Sequence, residues 1–321
     1  MQMAVYTEVT GEELDALLER YDIGELIACK GIAEGVENSN FFLGTDRAQF
    51  ILTLYEKRVS PDDLPFFLGL MEHLARQGVS CPTPVRDRDG RVLQTVAGRP
   101  AAIVTFLPGY SLRKPLPVHC HALGAALATL HESGLTFPLK RENALSLGGW
   151  EKLFASIDGV ADKLEPGMAA GIAAELDALR QEWPANLARG VIHADLFPDN
   201  VFFLHDKLSG VIDFYFACND LLAYDLAICL NAWCFEPGRE FNVTKARGLL
   251  SGYNSVRRLE REEVEALPLL ARGAALRFLL TRLYDWFNTP DTAFVKRKDP
   301  MEYWRKLRFH QGVRATGAYG L

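Results

Sequence analysis

The sequence predicts an α+β protein of two lobes, a β-rich first third followed by a mainly helical remainder. Two observations carry this. Residues 25–107 hold five short β-prone runs broken by Gly, Pro and polar turns, whereas 118–288 hold long stretches of helical periodicity. One compact β interruption, 190–214, sits inside the helical part. Leu107-Pro-Gly-Tyr110 is a turn signal and marks the hinge, so the lobes read as 1–107 and 108–321 with a cleft between them.

The elements follow in order. Thr10 and Glu13 form a capping box, and Leu14, Leu17 and Leu18 then fall on one helical face. Strands are expected at 25–30, 40–44 and 49–55, separated by a Gly-containing loop and a Thr45-Asp46 turn, as in an antiparallel meander. Ser60-Pro61 opens a helix to about Gln77, with Pro at its first position and two Asp in its first turn. Further strands are expected at 91–96 and 101–107. Helices follow at 118–133, 168–187, 222–235, 242–256 and 262–288.

Composition excludes several classes of function. The chain has 321 residues, 49% of them hydrophobic and 24% charged, with a net charge of −6. Such a balance gives no electrostatic footprint for nucleic acid. An anionic ligand therefore requires local cations or a metal. The six cysteines show neither C-x-x-C pairing nor zinc-finger spacing and read as reduced, mostly buried thiols. The first residues lack the basic and apolar regions of a signal peptide, and no apolar run reaches the ~18 residues of a membrane span. A reducing cytoplasm is the expected compartment, without a membrane partner.

The chemistry is concentrated in Val191-Ile-His193-Ala-Asp195-Leu-Phe-Pro-Asp-Asn200, followed by Gly210-Val-Ile-Asp213-Phe214. This is H-x-D-x4-N, then an Asp at the end of an apolar strand, the spacing of a phosphoryl-transfer loop and its metal-binding carboxylate. An attacking hydroxyl needs an acceptor that orients it and takes its proton, the role assigned to Asp195. Mg2+ prefers oxygen ligands, which Asn200 and Asp213 supply. His193 is expected to hold the Asp195 backbone, and Asp199 to serve the turn. The plainer alternative makes the Asp and Asn residues turn formers and His193 a core residue.

Gly31, Gly35 and Asn38 lie in the loop between the first two strands, where glycines let backbone amides approach phosphates. A lysine is expected on the third strand, yet its inward position holds Thr53. Lys57, further along, or Lys30, on the first strand, are the alternatives. Glu72 is the acidic partner for such a cation or else a solvated helix-face charge. Asp225 opens an apolar helix and is expected to brace the phosphoryl-transfer loop.

HxDxxxxN, VIDF and the YDLA helix resemble the aminoglycoside-phosphotransferase/choline-kinase superfamily over about 25–290. Within it, KGIAEGVENSNFFLGT, FILTLYEKR, LPFFLGLMEHLARQGVSCPTPV and IVTFLPG are similar to the bacterial homoserine kinases. The resemblance implies a protein-kinase-like bilobal fold, ATP and Mg2+ as cofactors, and homoserine as the hydroxyl acceptor in threonine biosynthesis. By this resemblance Asp195 orients or deprotonates the hydroxyl, Asn200 and Asp213 hold Mg2+, and the 31–40 loop covers the phosphates. Residues 105–109, including Thr105 and Leu107, line the adenine pocket. TLYEK, with Thr53 in place of lysine, fits the same branch.

An acceptor α-carboxylate calls for an arginine and an α-ammonium for a carboxylate. Arg277, Arg282 and Asp285 on the late helix are the expected sources, against a reading as a solvated helix face. Rival acceptors are choline, methylthioribose and aminoglycosides. A non-catalytic nucleotide-binding module is the rival of a different class.

Overall fold

The computed structural model describes residues 7–32, 38–56, 59–157, 159–237, 240–289 and 297–321. The chain divides into two compact units, Met1–Pro108 with Gly210–Tyr215, and Gly109–Ser209 with Phe216–Leu321. This differs from a single cut at 107/108, because a six-residue segment carrying Asp213 joins the first unit from the far side of the chain.

In the first unit, α1 (Gly11–Leu18) starts at the expected capping box, with Thr10 and Glu13 bonding reciprocally. A five-stranded antiparallel sheet follows, built from β1 (Leu26–Ile32), β2 (Asn38–Thr45), β3 (Gln49–Tyr55), β4 (Gln94–Val96) and β5 (Arg99–Thr105). Its strand order is β1-β2-β3-β5-β4. Phe50, Leu52 and Leu54 alternate along β3 and so share one face, where they pack with Phe41, Leu43 and the leucines of α1. The opposite face of β3 carries Thr53 and Tyr55, both buried. There Tyr55 and Phe67 of α2 (Leu64–Arg76) each meet Tyr215 edge-on, at 5.3 and 5.7 Å between ring centres. Each such pair adds about 0.5–1.5 kcal/mol beyond the area it buries.

The second unit is mainly helical, with β6 (Tyr110–Ser111), α3 (Pro117–Gly134), α4 (Leu147–Ser156) and α5 (Met168–Glu182) leading into β7 (Arg189–Ile192) and β8 (Val201–Leu204). β9 (Lys207–Val211) begins in this unit and ends in the first. After it come β10 (Cys218–Leu221), α6 (Leu222–Trp233), α7 (Val243–Asn254), α8 (Arg261–Asn288) and α9 (Pro300–Gly312). β7 pairs with β10, and β8 lies between β6 and β9.

α3 and α7 approach backbone to backbone. A Cβ on Gly124 would lie 2.0 Å from the Leu249 carbonyl, and one on Gly252 would lie 2.0 Å from the His121 carbonyl. Only glycine permits that crossing. α6 is buried on nearly every side, as a continuously apolar helix must be.

Several boundaries depart from expectation. The helix expected to reach 187 stops at Glu182, because Trp183 precedes Pro184 and residues before proline disfavour helical backbone. The 91–96 strand shrinks to Gln94–Val96. α4, α9 and β10 were not expected. Cys218-Asn-Asp-Leu221 reads locally as a turn and becomes a strand only by pairing with β7. All six cysteines are free thiols, and only Cys29 is exposed.

Candidate active site

The loop between β7 and β8 carries Asp195 and is held by side chains from two helices, α6 and α8. Ala194 adopts φ 64°, left-handed backbone that costs a residue with a Cβ about 1–2 kcal/mol. Both its polar backbone groups are clamped. Its N–H donates to Asp225 Oδ1 at 2.9 Å, and its carbonyl accepts from Arg277 Nη1. The neighbouring His193 N–H donates to Asp225 Oδ2 at 2.7 Å. Such a conformation persists only where its surroundings over-determine it.

Asp225, in the first turn of α6, is fully buried. Burial pushes its carboxyl up, but hydrogen bonds and charge from His131 and His193 outweigh this and leave it below the ordinary aspartate range. A carboxylate only accepts, so His131 Nε2, 3.2 Å away, carries the proton. His131 Nδ1 lies 2.8 Å from the Tyr253 hydroxyl, and that oxygen accepts from Arg257 Nη1 at 3.2 Å. Arg257, Tyr253 and His131 thus form a chain of side chains that ends on Asp225, to which the loop amides donate from the other side.

Asp195 is half-buried. Its N–H donates to His193 Nδ1 at 3.3 Å, the supporting role expected of that histidine. Asn200 Nδ2 donates to the Asp195 carbonyl at 2.8 Å and to Asp195 Oδ2 at 3.2 Å, so the structure brings these two residues together. The next carbonyl, that of Leu196, accepts from Trp233 Nε1 at 2.8 Å. Burial pushes the Asp195 carboxyl above the ordinary aspartate range, against the pull of Arg277, His193 and Lys298. A raised carboxyl pKa makes a better proton acceptor, and the fixed backbone makes a better orienting group.

With both amide hydrogens of Asn200 directed at Asp195, its Oδ1 turns away as a neutral oxygen donor. Asp213, in the first unit, sits at φ 66°, and its negative charge, after burial, helps raise the neighbouring hydroxyl of Tyr215 to about 12.

The remaining expected residues divide. Gly31 lies on β1, and Asn38 Oδ1 accepts from Glu56 N at 3.2 Å. Thr105 Oγ1 accepts from Thr83 N at 2.9 Å. The Leu107 side chain crowds Gly210, where a Cβ would come within 2.8 Å of it. Gly35 and Lys57 fall outside the described residues. Thr53 donates to Asn40 Oδ1 at 2.8 Å, and Lys30 is exposed on β1.

Three assignments need correction. Among the described residues Glu72 meets no strand lysine; both its oxygens accept from Arg86 Nη2 at 2.8 Å, and Arg86 also holds the Gly90 carbonyl. Arg277 is 2% exposed and bonded to Ala194, which makes it a support of the loop and not a ligand-facing cation. Arg282 is committed to Glu302 at 2.7 Å and to the Asp299 carbonyl at 3.0 Å. Asp285 is half-buried near the end of α8. The His131–Tyr253–Arg257 relay was not foreseen. His131 in a helical apolar stretch was its one visible sign.

A loop of this construction belongs to enzymes that move phosphoryl groups, and comparison agrees. The sequence profile described as the phosphotransferase enzyme family matches residues 28–259, and the chain belongs to that family. Within it, the chain is 63% identical over 319 residues to the homoserine kinase of Xanthobacter autotrophicus, covering 99% of each. It is 61% identical to the homoserine kinase of Sinorhizobium fredii, covering 99% of this chain and 98% of that protein. Among solved structures, an amicoumacin kinase in complex with AMP-PNP and Ca2+ aligns with TM-score 0.69 at 16% identity, over 94% of this chain and 95% of that one. Choline kinase of Cryptosporidium parvum aligns with TM-score 0.66, also at 16% identity and with the same coverage. The fold is the kinase-like one with a β-sheet lobe and a helical lobe.

Proposed function

We propose that this protein transfers the γ-phosphoryl group of ATP to the side-chain hydroxyl of L-homoserine, giving O-phospho-L-homoserine and ADP, a step that serves threonine biosynthesis. The observation that carries this reading is 60–63% identity, over nearly the whole chain, to proteins named homoserine kinase.

The chemistry rests on Asp195. Its carboxylate accepts a hydrogen bond from the acceptor hydroxyl and so aims a lone pair of that hydroxyl's oxygen at the γ-phosphorus. A bond forms between that oxygen and phosphorus, the bond from phosphorus to the β–γ bridging oxygen breaks, and ADP leaves with the bonding pair. The hydroxyl proton passes to Asp195 Oδ. The transition state is loose, so orientation contributes more than base strength. Arg277 and Asp225 hold the backbone that aims Asp195.

Mg2+ supplies charge neutralisation at the β- and γ-phosphate oxygens when bound. We assign Asn200 Oδ1 and the Asp213 carboxylate as its protein ligands. Gly31, Gly35 and Asn38 are assigned to the phosphates, and Thr105 and Leu107 to the adenine. Among the described residues no helix is long and apolar enough to cross a membrane, and the reading places the enzyme in the cytoplasm.

The test is ADP release by purified protein over homoserine, serine, choline, methylthioribose and kanamycin, with Asp195→Asn alongside. Homoserine is expected to turn over best, and Asp195→Asn to lose at least ~1000-fold in kcat, since acid–base and orienting effects combine. Turnover of another acceptor without homoserine would refute the substrate, and full activity of Asp195→Asn would refute the mechanism.

A further inference from the structure

The second unit contains a cavity of about 390 Å³ beside the phosphoryl-transfer loop, within the size range of small-molecule sites. Pro198, three residues from Asp195, is part of its wall. Trp233 also lines it, and the same indole holds the Leu196 carbonyl. The cavity therefore meets the loop just after Asp195, directly at Pro198 and through the indole that holds Leu196.

The opposite wall is α9, whose Glu302, Arg305 and Lys306 stand at i, i+3 and i+4 and so share a face. This helix lies beyond residue 259, outside the segment matched to the phosphotransferase family as a whole. A wall supplied from outside the shared segment is suited to distinguishing one acceptor from another.

The lining carries five cations, Arg113, Lys114, Lys245, Arg305 and Lys306, against three carboxylates. Their commitments differ. Lys306 Nζ bonds Glu302 Oε1 at 2.7 Å and the Asn231 carbonyl at 2.8 Å, and Arg282 takes the other oxygen of Glu302. Both oxygens of Glu302 are thus engaged by cations. Lys245 Nζ and Asn242 Nδ2 both bond Glu236 Oε1, at 2.7 and 2.8 Å, leaving Oε2 uncommitted among the described residues. Asp299 caps α9 through the Met301 amide. Arg113 and Lys114 are at the exposed rim. Arg305 is half-buried, lines the cavity and pairs with no carboxylate among the described residues.

A half-buried, uncommitted guanidinium is a ready fork for a carboxylate. A free carboxylate oxygen in the same cavity is its counterpart for an ammonium. We propose that this cavity binds the amino-acid head of the acceptor, with Arg305 taking the α-carboxylate and Glu236 Oε2 the α-ammonium. The assignment rests on the homoserine reading above and replaces the expected roles of Arg277 and Arg282.

The test compares homoserine with two analogues that each lack one charge, 3-aminopropan-1-ol without the carboxylate and 4-hydroxybutanoate without the ammonium. Analogues that do not turn over are read as competitive inhibitors. Arg305→Ala is expected to weaken kcat/KM for homoserine by about 10- to 100-fold, the loss of a charge-assisted pair. It should weaken 4-hydroxybutanoate likewise and leave 3-aminopropan-1-ol within about threefold, with partial rescue by Arg305→Lys. Glu236→Gln should show the mirror pattern, sparing only 4-hydroxybutanoate. The KM for ATP should stay unchanged in all three variants, which also shows that they are folded. Equal losses on all three compounds, or none, would overturn the cavity assignment while homoserine turnover by the wild type stands. A wild type that phosphorylates other alcohols but not homoserine would instead overturn the substrate reading.

Discussion

Replacing Asp225 by asparagine isolates what the buried brace does for the active loop. The change keeps shape and removes charge. In the native protein the carboxylate accepts the His193 amide, the Ala194 amide and His131 Nε2. An asparagine offers one accepting oxygen and turns an NH2 toward at least one of these donors. Losing a hydrogen bond to a charged group costs about 1.5–3 kcal/mol, and leaving a buried N–H without an acceptor about 1–3 more.

We expect the variant to lose about 3–5 kcal/mol of stability, the range typical of breaking a buried charged pair. Catalysis should suffer as well. Ala194 no longer has both backbone groups held at φ 64°, so Asp195 shifts, and a displacement of about 1 Å costs on the order of 100-fold in kcat. Urea denaturation at pH 7 and initial rates of ADP release measure the two effects. The sign with pH is fixed by the lowered folded-state pKa of Asp225. Its contribution is complete above the unfolded value of about 3.9 and disappears as pH falls through the folded value below it. The gap between wild type and variant should therefore narrow only below about pH 4. A loss under about 1 kcal/mol with unchanged kcat would refute the bracing argument.

Other perturbations address separate features. Gly252→Ala puts a Cβ 2.0 Å from the His121 carbonyl, and thermal or urea unfolding should show a loss of at least about 2 kcal/mol, the scale of an overpacked core. Burial pushes the His310 ring down to about 3, so it stays neutral in the fold while the unfolded chain takes up a proton below about 6.5. Wild-type stability should fall by about 1.4 kcal/mol per pH unit from this group once pH is well below 6.5, and His310→Gln should flatten that slope in urea titrations at stepped pH. Turnover should vanish in EDTA and return with added Mg2+ in the ADP-release assay; turnover persisting in EDTA would refute the metal assignment.

The parts legible in the sequence were those fixed by local spacing. Asp195 and Asn200 share one short loop, so five residues of separation sufficed to bring them together. Period-two alternation also placed Thr53 on the buried face of β3, where the structure finds it. Partners across the chain were not legible. Periodicity says which way Glu72 or Arg277 points but not that Arg86 or the Ala194 carbonyl waits there. Arg277 is a cation on an apolar helix, and nothing local separates a ligand-facing arginine from one buried to hold a strained carbonyl. The cavity was hidden for a related reason. Met301-Glu-Tyr-Trp-Arg-Lys-Leu-Arg gave no helix reading, and Lys306 is buried there because Glu302 pairs with it and the Asn231 carbonyl accepts its hydrogen bond.

The six-residue segment that returns to the first unit has a consequence for how the protein is made. A ribosome completes Pro108 more than a hundred residues before it reaches Tyr215, the ring that Tyr55 and Phe67 close upon. At about 5–20 residues per second, the nascent sheet waits roughly 5–20 s for its last aromatic partner. Over that interval Tyr55 and Phe67 emerge without the ring that covers them in the finished fold.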